Sequence, residues 1–250
     1  MTATTADWDR RQITHRSRWE KKGAIRLLYR DFHRRLLDSC PEGRVLDIGS
    51  GTAHIKDFRP DIVSTDILPF PGIDAVADAH RLPFPDGSFS GVVMLDVLHH
   101  LERPIVFLKE ASRVLQSGGR LAMIEPAMTT VARRFYDHFH EEPVQMDADP
   151  FASVRINPDR DPFDANQAIP TLLFATSAAC RRVESEVPSL RVHSVDWLSL
   201  LAYPMSGGFQ SWSLMPAALV RSVLAFEDRV PQAVRRQTAF RMIVVLERVE

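Results

Sequence analysis

The chain has 250 residues, 45% of them apolar and 25% charged, which suits one large domain with a sizeable core. Its 31 basic and 32 acidic side chains leave a formal charge of −1, which argues against nucleic acid held on a basic surface. The two cysteines, Cys40 and Cys180, lie far apart and in no Cys/His cluster, which argues against a disulfide framework or a structural zinc site.

The amino terminus lacks the layout of a signal peptide, and no apolar run is long enough to span a bilayer, so the chain reads as cytoplasmic. Residues 8–38 read as one or two amphipathic helices, with Ile25, Leu28, Phe32, Leu36 and Leu37 at helical spacing. After the break at Cys40-Pro41-Glu42-Gly43, strands are expected at Arg44–Ile48, Ile62–Thr65, Ile73–Ala77 and Gly91–Leu95. The last of these, GVVML, is a continuous apolar run, as in a strand covered on both faces. A helix over Pro104–Leu115 follows, ended by Ser117-Gly118-Gly119, and then a strand over Arg120–Ile124.

Such alternation predicts a Rossmann-like α/β fold. Its seven-stranded, mostly parallel sheet is flanked by helices, and ligands bind at the carboxyl ends of the strands. From about 127 to 168 the alternation stops, so a lid insertion is expected after strand five. A helix over Ile169–Val187, a strand over Leu190–Leu201, a helix over Met215–Ala225 and an antiparallel last strand over Phe240–Arg248 complete the reading. All 250 residues form one domain: amino-terminal helices (1–43), a cofactor-binding core (44–126), a lid and acceptor region with strand six (127–215), and a terminal helix and strand (216–250).

The stretch Val45-Leu46-Asp47-Ile48-Gly49-Ser50-Gly51-Thr52-Ala53 is an apolar strand ending in an acid, then a turn with two glycines. Glycine lets a ligand approach the backbone closely. A dinucleotide-binding loop wants a third glycine where His54 stands, which counts against NAD or FAD. Three more acids stand at the ends of successive strands. Asp66 is suited to the hydroxyls of a ribose, Asp78 to an adenine amino group, and Asp96 opens Asp96-Val97-Leu98-His99-His100-Leu101. Any one alone could be only a helix cap; four in order are harder to dismiss.

The motifs VLDIGSGTA, STDI, ADAHRLPFPDGSFSGVVMLDVLHHL and LKEASRVLQSGGRLAMIEP, from Val45 to about Pro126, resemble the core of the class I S-adenosylmethionine-dependent methyltransferases of the small-molecule type. The resemblance implies S-adenosyl-L-methionine as co-substrate. By position, Asp47, Gly49, Ser50 and Gly51 would surround its methionine portion, and Asp66 the ribose, with Ile67 on adenine. Asp78 and Ala79 would hold the adenine edge, and Asp96 and His99 the floor near the methyl group. Ala53 replaces the family's usual third glycine, and the segment from Gly51 to Asp66 is short. Trp19, Lys22 or Tyr29 are therefore candidates for holding the cofactor's amino-acid end.

The implied reaction moves a methyl group to a small-molecule or sugar-bearing acceptor, with an oxygen acceptor favoured. The competing reading is a noncatalytic binding or regulatory protein of the same fold. An alcohol or phenol needs proton removal, for which His99, His138, His140 and Glu125 are the candidates. No metal site is expected, because His138 and His140 share a face only on a strand while their flanks read as helical. The acceptor wall is sought in Tyr203–Gln210 and Phe163–Pro170, with Trp197, Phe209 and Trp212 as ring partners. A small-molecule partner is expected, and a homodimer is compatible with the sequence.

Overall fold

The computed structural model describes residues 5–139, 142–154, 157 and 160–250. Helices α1 (Thr5–Lys21) and α2 (Gly23–Asp38) lead into strand β1 (Val45–Ile48). A single 3-10 turn (His54–Asp57) joins β1 to β2 (Val63–Asp66), where a full crossover helix is usual. Then come β3 (Ala75–Val76), β4 (Phe89–Leu95), a 3-10 turn (Leu98–His100), α3 (Pro104–Val114) and β5 (Leu115–Pro126). The remainder comprises α4 (Thr130–Phe139), α5 (Ile169–Phe174), α6 (Ser177–Glu186), β6 (Leu190–Leu198), α7 (Ala202–Ser206), α8 (Ala217–Glu227), α9 (Gln232–Thr238) and β7 (Arg241–Arg248).

The sheet runs β3-β2-β1-β4-β5-β7-β6, parallel except for β7, which is antiparallel to both neighbours. Side chains alternate between its faces. Val45, Val93, Ala122, Ile124 and Val245 pack with Ile25, Leu28, Phe32 and Leu36 of α2. Leu46, Val92, Met94, Leu121, Met123, Val244 and Leu246 pack with Phe107, Leu108 and Ala111 of α3 and Leu173 of α5 on the other side. Each fully buried Leu, Ile or Phe here contributes about 1.5–3 kcal/mol, so the two faces fix the sheet between helical layers.

The structure departs from the sequence reading in three respects. Strand β5 begins at Leu115, directly after α3, and Ser117-Gly118-Gly119 lies within it. The ladder to β4 shifts there, from Phe89↔Leu115 to Gly91↔Arg120, so the glycines absorb a bulge instead of stopping a helix. The helix expected over Ile169–Val187 is broken, because Thr176 turns extended and its hydroxyl caps α6 by accepting from Ala179 N. Helix α4 agrees with the helical reading around His138, whereas the short helices α7 and α9 are additions to the sequence reading. Among the described residues no helix is long and apolar enough to cross a membrane.

Candidate active site

Parallel pairing sets the carboxyl ends of β1, β2 and β4 side by side, and the reversed β7 brings its first residue, Arg241, opposite Pro126 at the same edge. Asp47, Asp66, Asp96 and Glu125 therefore share one edge with Arg241.

The loop after β1 is shaped by its glycines. Gly49 has φ +69°, and a Cβ there would fall on the Val97 side chain, with Cγ1 only 2.9 Å away. Gly51 has φ +52°, and its missing Cβ would meet nothing within 4 Å, so this face of the loop is open. Gly51 N–H donates to Asp66 Oδ2 at 2.9 Å, and Leu68 N–H to Oδ1 at 2.9 Å. Asp66 is buried. Burial raises its carboxyl pKa and the N–H groups of Leu68, Gly51 and Ile67 pull it back. A carboxylate offers about four lone-pair sites, so Asp66 braces the loop with acceptor capacity remaining. Ile67 beside it is 48% exposed and offers an apolar surface there. An open glycine face, a braced carboxylate and an apolar shelf together fit a nucleoside such as the cofactor's.

Asp47 is buried beneath this loop and its carboxyl is pushed up to about 7, chiefly by burial, with Ser50 lowering it and Asp66 raising it. Asp78 is half-exposed, its Oδ1 taking the His80 N–H at 2.8 Å and pairing with Nδ1 at 2.7 Å, while Ala79 is buried in the core. Trp19 of α1 stacks on His54 with ring centroids 3.8 Å apart, and His54 Nε2 lies 2.5 Å from Thr52 Oγ1. Thus α1 packs on the glycine loop. Lys22 is engaged elsewhere: its Nζ donates to the carbonyls of Gly208, Gln210 and Trp212 at 2.6, 3.1 and 2.8 Å.

Beyond β4 lies a second cluster. Asp96 takes a left-handed conformation (φ +59°), its N–H donating to Ile124 O at 2.9 Å. Tyr29 donates to Asp96 Oδ2 at 3.1 Å, and Arg241 Nη1 stands 2.7 Å from Oδ1. The Arg241 guanidinium also stacks 3.9 Å above the Tyr203 ring. All three tyrosines of the chain, Tyr29, Tyr136 and Tyr203, have hydroxyls pushed up by burial and feel Asp96 and Arg241. Of these, only Tyr29 is a sequence candidate for the cofactor's surroundings. Arg241 was missed; an arginine opening an apolar strand, FRMIVVL, was the available signal.

The 3-10 turn after Asp96 carries His99, whose Nδ1 lies 2.6 Å from Glu125 Oε2. Glu125 Oε1 accepts the N–H groups of Val97 and Leu98 at 2.8 and 2.7 Å. Glu125 is fully buried, and burial pushes its carboxyl up to about 7 against those N–H groups. In the tautomer that places Nδ1–H toward Glu125, the His99 lone pair is on Nε2, which stands 3.8 Å from Glu142 Oε2. Gln167 donates to Glu142, and Asn166 N–H to His99 O at 2.9 Å, so Glu142 and Asn166–Gln167 sit beside the turn. His100 packs beside His99, and its pKa is lowered to about 3 by burial and by the neighbouring ring.

The other histidines fall differently. His138 is exposed on α4 and its Nδ1 turns back on the Arg134 carbonyl at 2.7 Å, while His140 lies outside the described residues. Trp197 faces the α3–α5 side of the sheet, Phe209 stacks on His15, and Trp212 is exposed. Of the expected acceptor wall, the structure brings Tyr203 and Asn166–Gln167 to the edge, with Phe209 edge-on to Tyr29 at 5.4 Å behind it.

A family profile described as a methyltransferase domain matches residues 46–123. A demethylmenaquinone methyltransferase of Beutenbergia cavernae is 37% identical over 103 residues, covering 36% of this chain and 43% of that protein. An uncharacterized 37.1 kDa protein in transposon TN4556 of Streptomyces fradiae is 40% identical over 86 residues, covering 34% of this chain and 24% of its own. The matched stretch thus spans less than half the length of either relative. Among solved structures, geranyl diphosphate C-methyltransferase from Streptomyces coelicolor A3(2), in complex with Mg2+, geranyl diphosphate and S-adenosyl-L-homocysteine, superposes with a TM-score of 0.52 at 11% identity. That superposition covers 90% of this chain and 82% of that one. At that identity the likeness speaks to the fold alone.

Proposed function

We propose that this chain, whose residues 46–123 match a methyltransferase-domain family model, is a class I S-adenosylmethionine-dependent methyltransferase that transfers the methyl group of S-adenosyl-L-methionine to a small-molecule acceptor, most readily through oxygen. The observation that carries the reading is the loop Gly49-Ser50-Gly51, open at Gly51 and braced by Asp66, with Ile67 exposed alongside. Asp66 is assigned to the ribose, Ile67, Asp78 and Ala79 to adenine, and Asp47 with the glycine loop to the methionine portion. Asp96, pinned by Tyr29 and Arg241, supports the floor beneath the methyl group.

Methyl transfer is an in-line displacement, so positioning does much of the work. An oxygen acceptor also loses a proton. His99 is placed for that: Glu125 holds its Nδ1–H and steadies the ring if Nε2 gains a proton. The same pair would serve a hydroquinone-like ring, whose hydroxyl must ionise before ring carbon attacks, which keeps the chemistry of the quinone relative within reach.

Calorimetric titration with S-adenosylhomocysteine tests the reading, comparing wild type with Asp66→Asn and Asp66→Ala. Binding that both variants weaken supports it. A folded wild-type protein that takes up no S-adenosylhomocysteine overturns it and brings the noncatalytic reading forward.

A further inference from the structure

We propose that His99, His100 and Glu142 form a binding site for a divalent transition-metal ion of the zinc type, beside the carboxyl edge of β4 and β5. One ring nitrogen of each histidine and one carboxylate oxygen of Glu142 all lie within 4.8 Å of one another. The reading of the chain as a methyltransferase fixes only what the ion would do; the site itself stands on this geometry.

Three features support it. First, His99 Nε2 stands 3.8 Å from Glu142 Oε2. Ligand atoms around a tetrahedral zinc at about 2.0–2.1 Å sit roughly 3.3 Å apart, so this pair must close by about half an ångström, the pairs with His100 by no more than about 1.5 Å, and Glu142 must share the oxygen that now accepts from Gln167.

Second, the far nitrogen of His99 lies 2.6 Å from the fully buried carboxyl of Glu125, which can accept its proton. A metal-binding imidazole nearly always has such a partner, which fixes the tautomer and makes the lone pair more basic. A second grouping, Asp96, His99 and Glu125, is the weaker choice because its short Nδ1–Glu125 contact is already filled by a proton.

Third, the turn bearing both histidines is held from all sides. Glu125 takes the N–H groups of Val97 and Leu98, Asn166 N–H binds the His99 carbonyl, and Arg160 binds the His100 carbonyl. The two rings lie 4.2 Å apart, inclined by 39°, so they move together.

The sequence hid the set because adjacent histidines match no ligand spacing and Glu142 is distant in the chain. Two imidazoles and a carboxylate favour zinc, cobalt or a similar ion over calcium or magnesium, which prefer all-oxygen ligands. Three protein ligands leave a fourth position open, and an acceptor hydroxyl bound there would release its proton to water more readily. With an ion bound, the His99 lone pair belongs to it, and the ion's charge takes over what the free base would do.

The experiment uses the full, tag-free chain stripped with chelator, titrated with Zn2+ against a chromophoric competitor and separately with Co2+. Wild type should take up one equivalent and give the visible absorption of four-coordinate Co2+. Glu142→Gln and His100→Ala should each weaken binding by about ten-fold or more, and Glu125→Gln by a comparable factor. Glu142 lies in a surface segment, so its variant should keep the wild-type circular dichroism. No saturable equivalent in wild type, or Glu142→Gln and His100→Ala binding as tightly as wild type, would overturn the site. S-adenosylhomocysteine is titrated into the same preparation. Its binding without Zn2+ uptake sinks the ion site alone, whereas failure of both sinks the methyltransferase reading as well.

Discussion

His99 Nδ1 lies 2.6 Å from Glu125 Oε2, while the other oxygen of that carboxyl is held by the N–H groups of Val97 and Leu98. The carboxylate therefore fixes the turn and the tautomer together. In Glu125→Gln the backbone bonds to Oε1 can persist, but the charge that favours Nδ1–H is gone. Histidine 15N shifts should show the Nε2 lone-pair tautomer of His99 in wild type and a mixture in the variant. Methyl transfer to an oxygen acceptor should fall by about 10²-fold or more in kcat, with little change in KM. A variant with wild-type tautomer and wild-type rate would leave Glu125 with a structural role only.

The two loop glycines should respond differently to the same substitution. In Gly49→Ala the added methyl runs into Val97, and the φ of +69° is strained as well, so the fold itself should suffer. In Gly51→Ala the methyl meets open space, and only the backbone strain of about 1–2 kcal/mol applies. Urea unfolding should find Gly49→Ala the less stable. Calorimetry should find Gly51→Ala folded but binding S-adenosylhomocysteine at least ten-fold more weakly. Unchanged binding by Gly51→Ala would place the ligand elsewhere.

Asp47 gives the apo protein a pH signature. Its carboxyl titrates near 7 when folded, against 3.8 as its ordinary value. Between those values the unfolded chain has lost the proton that the native state keeps, so rising pH favours unfolding, and above about 7 the penalty is complete. Asp47→Asn removes the titration. The Tm of the variant minus that of wild type should therefore climb from pH 4 to 7 and then level off. A flat difference would mean that Asp47 is not desolvated as the structure has it.

Where the sequence was informative, it was so because chemistry sits at strand ends in order. Asp47, Gly49, Gly51 and Asp66 belong to short local motifs, and the structure adds a Gly51–Asp66 bond that those motifs do not specify. Local signals misled where two structures share one cue. Gly118-Gly119 looks like a helix stop, yet α3 had ended at Val114 and the glycines serve a strand bulge. The second cluster was illegible for another reason. Glu125 meets His99, and Arg241 meets Asp96, only because parallel β4 and β5 and antiparallel β7 bring their ends together. No periodicity in one chain reports that register.

Ala53 carries a small backbone cost. It adopts φ +56° and ψ +33° at the start of the 3-10 turn, a left-handed conformation that its Cβ opposes. Ala53→Gly should relieve that strain while adding freedom to the unfolded chain, for a net gain of about 0.5–1 kcal/mol in urea unfolding. A loss of stability would show that packing of the Ala53 methyl, which is buried, outweighs the backbone term.

Arg241 and Asp96 supply the sharpest test of how the acceptor edge is held. Both charges sit among tyrosines, 2.7 Å apart, and Arg241 is 3% exposed. Removing one partner strands the other in a poorly solvated site, which typically costs 3–5 kcal/mol. Arg241→Met should therefore be strongly destabilising, and Asp96→Asn less so, because asparagine still accepts from Tyr29 and tolerates the left-handed backbone. In the double variant no charge is left without its partner, so the combined loss should be smaller than the sum of the two single losses by more than about 1 kcal/mol. Chemical denaturation of the four proteins completes the cycle. Strict additivity would mean that the pair does not act as a unit, and that Asp96 owes its position to Tyr29 and its backbone alone.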